Sequence, residues 1–302
     1  MQTSKTLFIV NPISGFRRDK SAIINLVHAQ FPSSDIELTA GPGDATRLAR
    51  EAALRDYDIV AAVGGDGTIN EVASGLVGTN TALGIIPRGS GNGLARGLGI
   101  PIQPAEALRV LAAGSVRAID AGCAGSRHFF AVCGIGFDAN VGQKFNTAHW
   151  RGPLPYFFIA AQEFVAYHPE AVRLNLDDTR LEKTPFLITI ANTQQYGNGA
   201  IIAPQAQPDD GILDICMVEP MSLIDAIKYV PKLFNGTIAE APIISYRRAQ
   251  ELAIEKDGPI LFHVDGEAIT CEGPLKISIK PQALRVIAPA NPSNHKMLSH
   301  VN

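Results

Sequence analysis

Up to about residue 115 the hydrophobic positions follow two alternating patterns: short continuous apolar runs, and segments in which apolar residues return every three or four positions. The first pattern predicts strands buried on both faces, and the second predicts helices crossing over them. "TLFIVNP" reads as the first strand. Ile23, Leu26, Val27 and Phe31 then recur at helical spacing, with Lys20 and Asn25 on the opposite face. "DATRLAREAALRD" repeats the arrangement, with Asp44 as the expected cap and Ala45, Leu48, Ala49 and Ala52 as one stripe. "DIVAAV" (58–63) and "ALGIIP" (82–87) are further strands, and each ends in a glycine-rich turn that opens a helix, "GGDGT" and "RGSGNGLAR". A parallel α/β domain is therefore expected over 1–119, with its boundary near Gly114 and Ser115.

Beyond residue 120 the period changes. "VRLNLD", "ELAIEK" and "LKISIK" alternate apolar with polar residues, as half-exposed antiparallel strands do. A second, mainly β domain is expected over 120–288, interrupted by helices near 154–167 and 222–234. For the polar tail 289–302, packing back onto the first domain and remaining mobile are both open.

Composition narrows the partners more than the fold. The 302 residues are 46% hydrophobic, enough for two cores, and 26 basic against 29 acidic residues leave a net charge of -3. That balance gives no bulk attraction to nucleic acid, so no nucleic-acid partner is expected, and any polyanion must be met locally. Cys123, Cys133, Cys216 and Cys271 form no CxxC pair and suit a reducing compartment. The N-terminal apolar run is too short for a signal peptide, and "PYFFIAAQEFVAY" (155–167) is short and broken by Gln162 and Glu163. The expectation is a cytoplasmic protein whose membrane contact is peripheral.

The glycine turns carry the chemistry. In open parallel sheets, ligands sit beyond the carboxyl ends of strands, where helix N-termini offer free N–H groups. "VNPISGFRR" (10–18) is a third such turn, with a Ser-Gly nest. Three phosphate-friendly turns at strand ends argue for a nucleotide or phosphate site. Neither GxxxxGK[ST] nor a GxGxxG after the first strand is present, so the usual nucleotide loops do not apply. Asp66 stands among backbone amides suited to phosphate, which makes sense with Mg²⁺ between them, directly or through water. The alternative for Asp66 is an N-cap of the helix beginning near Ile69. Arg88 and Arg96 flank the second turn and could neutralise phosphate or simply face solvent.

In that order, "NPISG", "GGDGTINEV" and "PRGSGNGLAR" resemble the diacylglycerol kinase catalytic-domain family, which includes bacterial lipid kinases and sphingosine kinases. "GIGFDANV", "IANTQQYGNGAIIAPQAQPDDGILDI" and "HVDGEAI" extend the likeness over nearly the whole chain. The resemblance implies an NAD-kinase-like, Rossmann-related α/β domain that binds ATP and a β-sandwich-like domain that takes the lipid substrate at the membrane surface. It implies ATP contacts from Asn11, Pro12, Ile13, Ser14, Gly15, Thr39, Gly64, Gly65, Asp66, Gly67, Thr68, Ile69, Asn70 and Ser90. Glu267 matches the family's proton acceptor, with Asp265 two residues before it. Asp210 and the backbones of Gln207 and Ile212 match a structural metal site, an all-oxygen set that suits Mg²⁺ or a similar hard cation. At Asn92-Gly93 many bacterial relatives carry Asn-Asp, so a carboxylate that would join Asp66 and Asp120 in a water-mediated Mg²⁺ network is missing. The turn is closer to the sphingosine kinase version, leaving the acceptor open between diacylglycerol, a sphingoid base and another lipid alcohol.

The reaction so implied is transfer of the ATP γ-phosphoryl group to a lipid hydroxyl, with Glu267 accepting the proton and Asp66 serving Mg²⁺. An NAD-kinase-like phosphotransferase and a silent nucleotide- or lipid-binding regulator are the rival readings. The seven histidines show no HExxH or paired-ligand spacing and read as surface or hydrogen-bonded core residues. Trp150 and "RGPLPYFF" are open between a lipid mouth and core packing. Oligomeric state is also open, a homodimer included.

Overall fold

A computed structural model of the chain describes residues 4–15, 20–147, 153–176 and 179–290. The chain divides into two units, one built from residues up to Ile119 and from Ala283 onward, the other from Asp120 to Gln282.

The first unit runs β1 (Thr6–Val10), α1 (Lys20–Gln30), β2 (Asp35–Leu38), α2 (Asp44–Leu54), β3 (Ile59–Gly64), α3 (Asp66–Leu76), β4 (Ala82–Pro87), α4 (Gly93–Gly97) and α5 (Pro104–Ala113), then enters β5 (Ser115–Ala124). The strands pair in parallel in the order β2-β1-β3-β4. β1 and β4 are buried at every position, which is why their sequences are continuous apolar runs rather than alternating ones. Of the first helix's expected stripe, Ile23 and Val27 are the buried members.

The capping of α2 differs from expectation. Asp44 lies inside the first turn and its carboxylate accepts from Ala40 N at 2.9 Å, while the N-cap is Gly43. The amides of Gly43 and Ala45 instead donate to the carboxylate of Glu71, on α3, at 2.9 and 3.2 Å. An acid from a neighbouring helix thus meets the positive end of the α2 dipole. The two helices can approach that closely because Gly75 has no side chain: a Cβ there would lie 2.7 Å from both Ala49 Cβ and Thr46 O.

The second unit continues with β6 (Arg127–Phe129), β7 (Val132–Gly136), α6 (Phe137–Thr147), α7 (Pro153–Ala166), β8 (Val172–Leu176), β9 (Thr179–Lys183), β10 (Leu187–Ala191), β11 (Gln195–Gly197), β12 (Ala200–Ile201), β13 (Leu213–Val218), α8 (Leu223–Asn235), β14 (Ile244–Ala249), β15 (Glu251–Glu255), β16 (Ile260–Val264), β17 (Glu267–Cys271) and β18 (Leu275–Ala288). A six-stranded antiparallel sheet has the order β14-β13-β10-β7-β16-β17, and β18, β15, β8 and β9 pair antiparallel in a second layer. Between them lies a core that includes Ile188, Ile190, Ile215 and Phe262 from one sheet and Leu174, Ile254 and Ile277 from the other. The three period-two segments of the sequence are adjacent strands of the second layer, with one face on this core and one outward.

β18 carries the chain back to the first unit earlier than the expected residue 289. Gly78 N donates to Ala283 O at 2.8 Å and Val286 pairs in parallel with Leu83, so backbone pairing with β4 draws 283–288 into that unit. Residues 291–302, Trp150 and the side chains of 151–158 lie outside the described residues. Among the described residues no helix is long and apolar enough to cross a membrane.

Candidate functional site

In the first unit, three strand-end turns are tied together by side chains that the sequence places far apart. After β1, Asn11 donates its backbone N–H to Val63 O at 3.0 Å and its side-chain amide to Thr68 Oγ1 at 3.0 Å, while its Oδ1 accepts from Ile13 N. After β3, Asp66 begins α3, and its two carboxylate oxygens accept from Asn92 N at 2.8 Å and Gly93 N at 2.7 Å. Asp66 is therefore a clamp between the "GGDGT" and "GSGNG" turns, and not the N-cap of α3, which is Gly65. After β4, Asn92 holds a left-handed conformation (φ 52°) and closes its own turn, exchanging side-chain hydrogen bonds with Gly89 N and Gly89 O, both at 2.9 Å.

The glycines make that convergence sterically feasible. A Cβ on Gly89 would stand 2.7 Å from Gly65 Cα, a clash with backbone that no rotamer relieves. A Cβ on Gly91 would stand 2.9 Å from Asp66 Oδ2, so the space over that carboxylate is kept open. Gly89→Ala is accordingly expected to force the two turns apart and weaken ATP binding by more than about tenfold, measured by titration calorimetry. Unchanged affinity would show that the close approach is incidental.

The expected nucleotide residues do not contribute alike. Gly67 is exposed at the N-terminus of α3, where first-turn amides have no intrahelical acceptor. Gly15 (φ +94°) and Ser14 stand in the first turn, Gly15 beside the Arg88 guanidinium, and Ser90 is exposed in the third. Thr39, following β2, donates its N–H to Val10 O, and Ile13 is 78% exposed. Ile69 is different: its side chain is 1% exposed in the core and its N–H is donated to Gly65 O, so its contribution is packing. Pro12 has no N–H to offer. Asn70 is buried, with its Oδ1 accepting from Ser74 Oγ at 3.3 Å.

The second unit holds the "DGE" turn. β16 and β17 form a hairpin in which Val264 pairs with Glu267, leaving Asp265 (φ 48°) and Gly266 (φ 89°) as a two-residue left-handed loop. Asp265 anchors the turn: its carboxylate accepts from Phe130, Ala131 and Val132 N at 2.9, 2.9 and 3.0 Å, and its own N–H donates to Val132 O. Expected among the catalytic groups, Asp265 serves a structural bond set, and Glu267 is the carboxylate that faces outward. Glu267 accepts from Arg127 at 2.6 Å, with both side chains nearly half exposed. Arg127, absent from the sequence-level site, lies 140 positions earlier, a pairing that no local pattern reveals.

Around "PDDGILDI" the structure gathers acids on one guanidinium. Arg248 pairs with Asp210, and at 3.5 Å with Asp214. Asp214 is buried, and its Oδ2 has no hydrogen-bond partner. Burial raises the Asp120 carboxyl above its ordinary range, opposed by the amides of Gln282 and Gly211 that donate to it at 2.7 Å each; Asp210 and Asp209 push it further up. Asp120 is fully buried and supports this loop through the two amides it accepts. Burial likewise raises Asp214, against the lowering effect of Arg248. Among the described residues no group of three or more His, Cys, Asp or Glu could hold a metal by itself. A site here needs the carbonyls of Gln207 and Ile212 beside Asp210. The buried Asp214 oxygen with no hydrogen-bond partner, beside Asp210, fits a hard cation.

Comparison with known proteins agrees with this geometry. Residues 5–124 match the family described as diacylglycerol kinase catalytic domain, and residues 131–288 match the YegS C-terminal NAD kinase beta sandwich-like domain. A diacylglycerol kinase of Mycobacterium tuberculosis is 32% identical over 95% of this chain and 96% of its own length. A Chromohalobacter salexigens protein named "Probable lipid kinase YegS-like" is 31% identical over 88% of this chain and 86% of its own length. A solved structure of a diacylglycerol kinase from Bacillus anthracis superposes with a TM-score of 0.72 at 25% identity, over 96% of this chain and 98% of that one. The clamped glycine turns, the antiparallel sandwich and these matches together show that the chain belongs to the diacylglycerol kinase family of lipid kinases.

Proposed function

We propose that this protein transfers the γ-phosphoryl group of ATP to the hydroxyl of a lipid alcohol, diacylglycerol or a sphingoid base, at a membrane surface. The observation that carries the reading is the Asp66 clamp, which brings two glycine turns together so that backbone amides and an open helix N-terminus face one region. Such a cradle holds phosphates by dipole and N–H groups without any side-chain cation. In-line phosphoryl transfer then depends on positioning and charge stabilisation.

The Asp66 carboxylate accepts the amides of Asn92 and Gly93, and Gly91 leaves room above it, which suits a hydrated Mg²⁺. When bound there, Mg²⁺ supplies charge neutralisation to the phosphates. Glu267 is the proton acceptor for the attacking hydroxyl, oriented by Arg127 and by the Asp265 anchor beneath the turn. The gain from such a base is about 10²–10⁴-fold.

The test is incubation of the purified protein with labelled ATP, with and without Mg²⁺, against micelles of diacylglycerol, sphingosine and other lipid alcohols, with NAD as a soluble alternative acceptor. A labelled phospholipid formed only with Mg²⁺ is expected. Label on NAD alone, or ATP binding with no turnover on any lipid, overturns the reading. For the "PDDGILDI" loop, the proposed cation stabilises the fold, so chelator is expected to lower the melting temperature of the wild type and not that of Asp210→Ala. Superimposable melting curves of the wild type with and without chelator would overturn the cation and leave the loop to side-chain neutralisation such as that by Arg248.

A further inference from the structure

One buried polar chain in the second unit is used by none of the chemistry above. Across three adjacent strands, Thr189, Gly134 and His263 stand side by side in register and face the same side of the six-stranded sheet. The middle position is glycine, and the slot it leaves is filled by a carboxylate from the first turn of α6. A Cβ on Gly134 would be 2.1 Å from Asp138 Oδ2 and 2.3 Å from His263 Nε2. Asp138 Oδ2 accepts from Tyr196 OH at 2.8 Å and lies 3.2 Å from His263 Nε2, while Asp138 Oδ1 accepts from Ala139 N. Tyr196 OH also meets Thr189 Oγ1. At the far end, Gly266 N donates to His263 Nδ1 at 3.3 Å.

The proton order in this chain follows from counting donors. Gly266 N–H can only donate, so Nδ1 accepts and the imidazole carries its proton on Nε2, where it donates to Asp138. The phenol has one proton, given to Asp138, so Thr189 donates to Tyr196. Burial, and secondarily the Asp138 charge, push the Tyr196 phenol well above its ordinary range, consistent with its acting as a donor. Every hydrogen bond therefore runs in one sense toward the carboxylate, and the imidazole ends on the N–H of Gly266, the residue that immediately precedes Glu267. Thr189, Asp138 and His263 are buried, at 0%, 8% and 5% exposure, so water does not readily replace these bonds.

We infer that His263, held by Asp138 and Tyr196, is a positioning residue that fixes the Gly266 amide and through it the orientation of Glu267. Asp265 pins one side of the turn to the Phe130–Val132 backbone, and His263 pins the other. The inference rests on Glu267 acting as the proton acceptor, and it adds three residues to that function without giving any of them contact with substrate.

The test uses the geometry of the replacement side chains. In His263→Asn, Oδ1 takes the place of Nδ1 and can accept from Gly266 N–H; in His263→Gln, the terminal amide takes the place of Nε2 and retains only the bond to Asp138. In the full-length protein, His263→Gln and His263→Ala are expected to lower kcat for lipid phosphorylation at least about tenfold with KM for ATP unchanged, and His263→Asn to stay within about threefold of wild type. Amide exchange over 263–269 should accelerate in the Gln and Ala variants and not in the Asn variant. Equal kcat in all three variants, or wild-type exchange in the Ala variant, overturns the inference. Should the His263 variants lose their melting transition, Tyr196→Phe carries the test, with a severalfold lower kcat and unchanged KM for ATP expected, and an unaltered kcat overturning it. If the wild type phosphorylates no lipid, the lipid-kinase reading fails while the exchange comparison, which needs no substrate, still decides whether His263 holds the turn.

Discussion

Glu267→Gln is expected to lower kcat for lipid phosphorylation by about 10²–10⁴-fold while leaving the melting curve and the affinity for ATP unchanged. The substitution keeps size and shape, removes the ability to accept a proton and turns the ion pair with Arg127 into a neutral hydrogen bond. Little stability is at stake, because the side chain is nearly half exposed and its partner Arg127 is equally so. The proposed nucleotide contacts belong to the first unit, so KM for ATP should not move. Steady-state kinetics on a lipid substrate together with a thermal melt check both halves. Near-native turnover in a folded variant would remove Glu267 from the reaction.

Asp66→Ala is expected to abolish turnover by a different route, and to cost stability as well. Both carboxylate oxygens accept backbone amides of the second glycine turn, and Asn92 is only 1% exposed. Removing the acceptor strands two N–H groups, each at about 1–3 kcal/mol when buried and unsatisfied. The "GSGNG" turn is then released from "GGDGT", so ATP affinity and melting temperature should fall together. Asp66→Asn retains one acceptor oxygen and should sit between wild type and Ala in both. A variant Asp66→Ala that melts like wild type would show the clamp to be dispensable. One that binds ATP normally but fails to turn over would restrict Asp66 to a role toward the metal.

The two experiments differ because the two acids are differently placed, which the sequence alone does not reveal. "GGDGT" and "VDGE" each present an aspartate or glutamate next to glycine, and by pattern the acids look equivalent. Spatially, Asp66 and Asp265 each accept several backbone amides, whereas Glu267 projects toward an arginine. The departure at Gly93 acquires a physical meaning in the same way. Its amide is one of the two that Asp66 accepts, so the position contributes through its main chain.

Periodicity sufficed for the element plan. The continuous apolar runs became the parallel strands β1, β3 and β4, and "VRLNLD", "ELAIEK" and "LKISIK" became adjacent half-buried strands, because side-chain burial repeats with backbone geometry. The ordered glycine motifs likewise pointed to the family, since a backbone that must approach phosphate or another backbone leaves its mark as missing side chains. Local pattern had no access to pairings made across long separations: Glu71 capping α2, Arg127 on Glu267 and His263 joined to Asp138 across 125 positions. Which acid supports the fold and which remains available for chemistry was decided only by the tertiary structure. An acid's role depends on what donates to it, and here the donors arrive from strands and turns far along the chain.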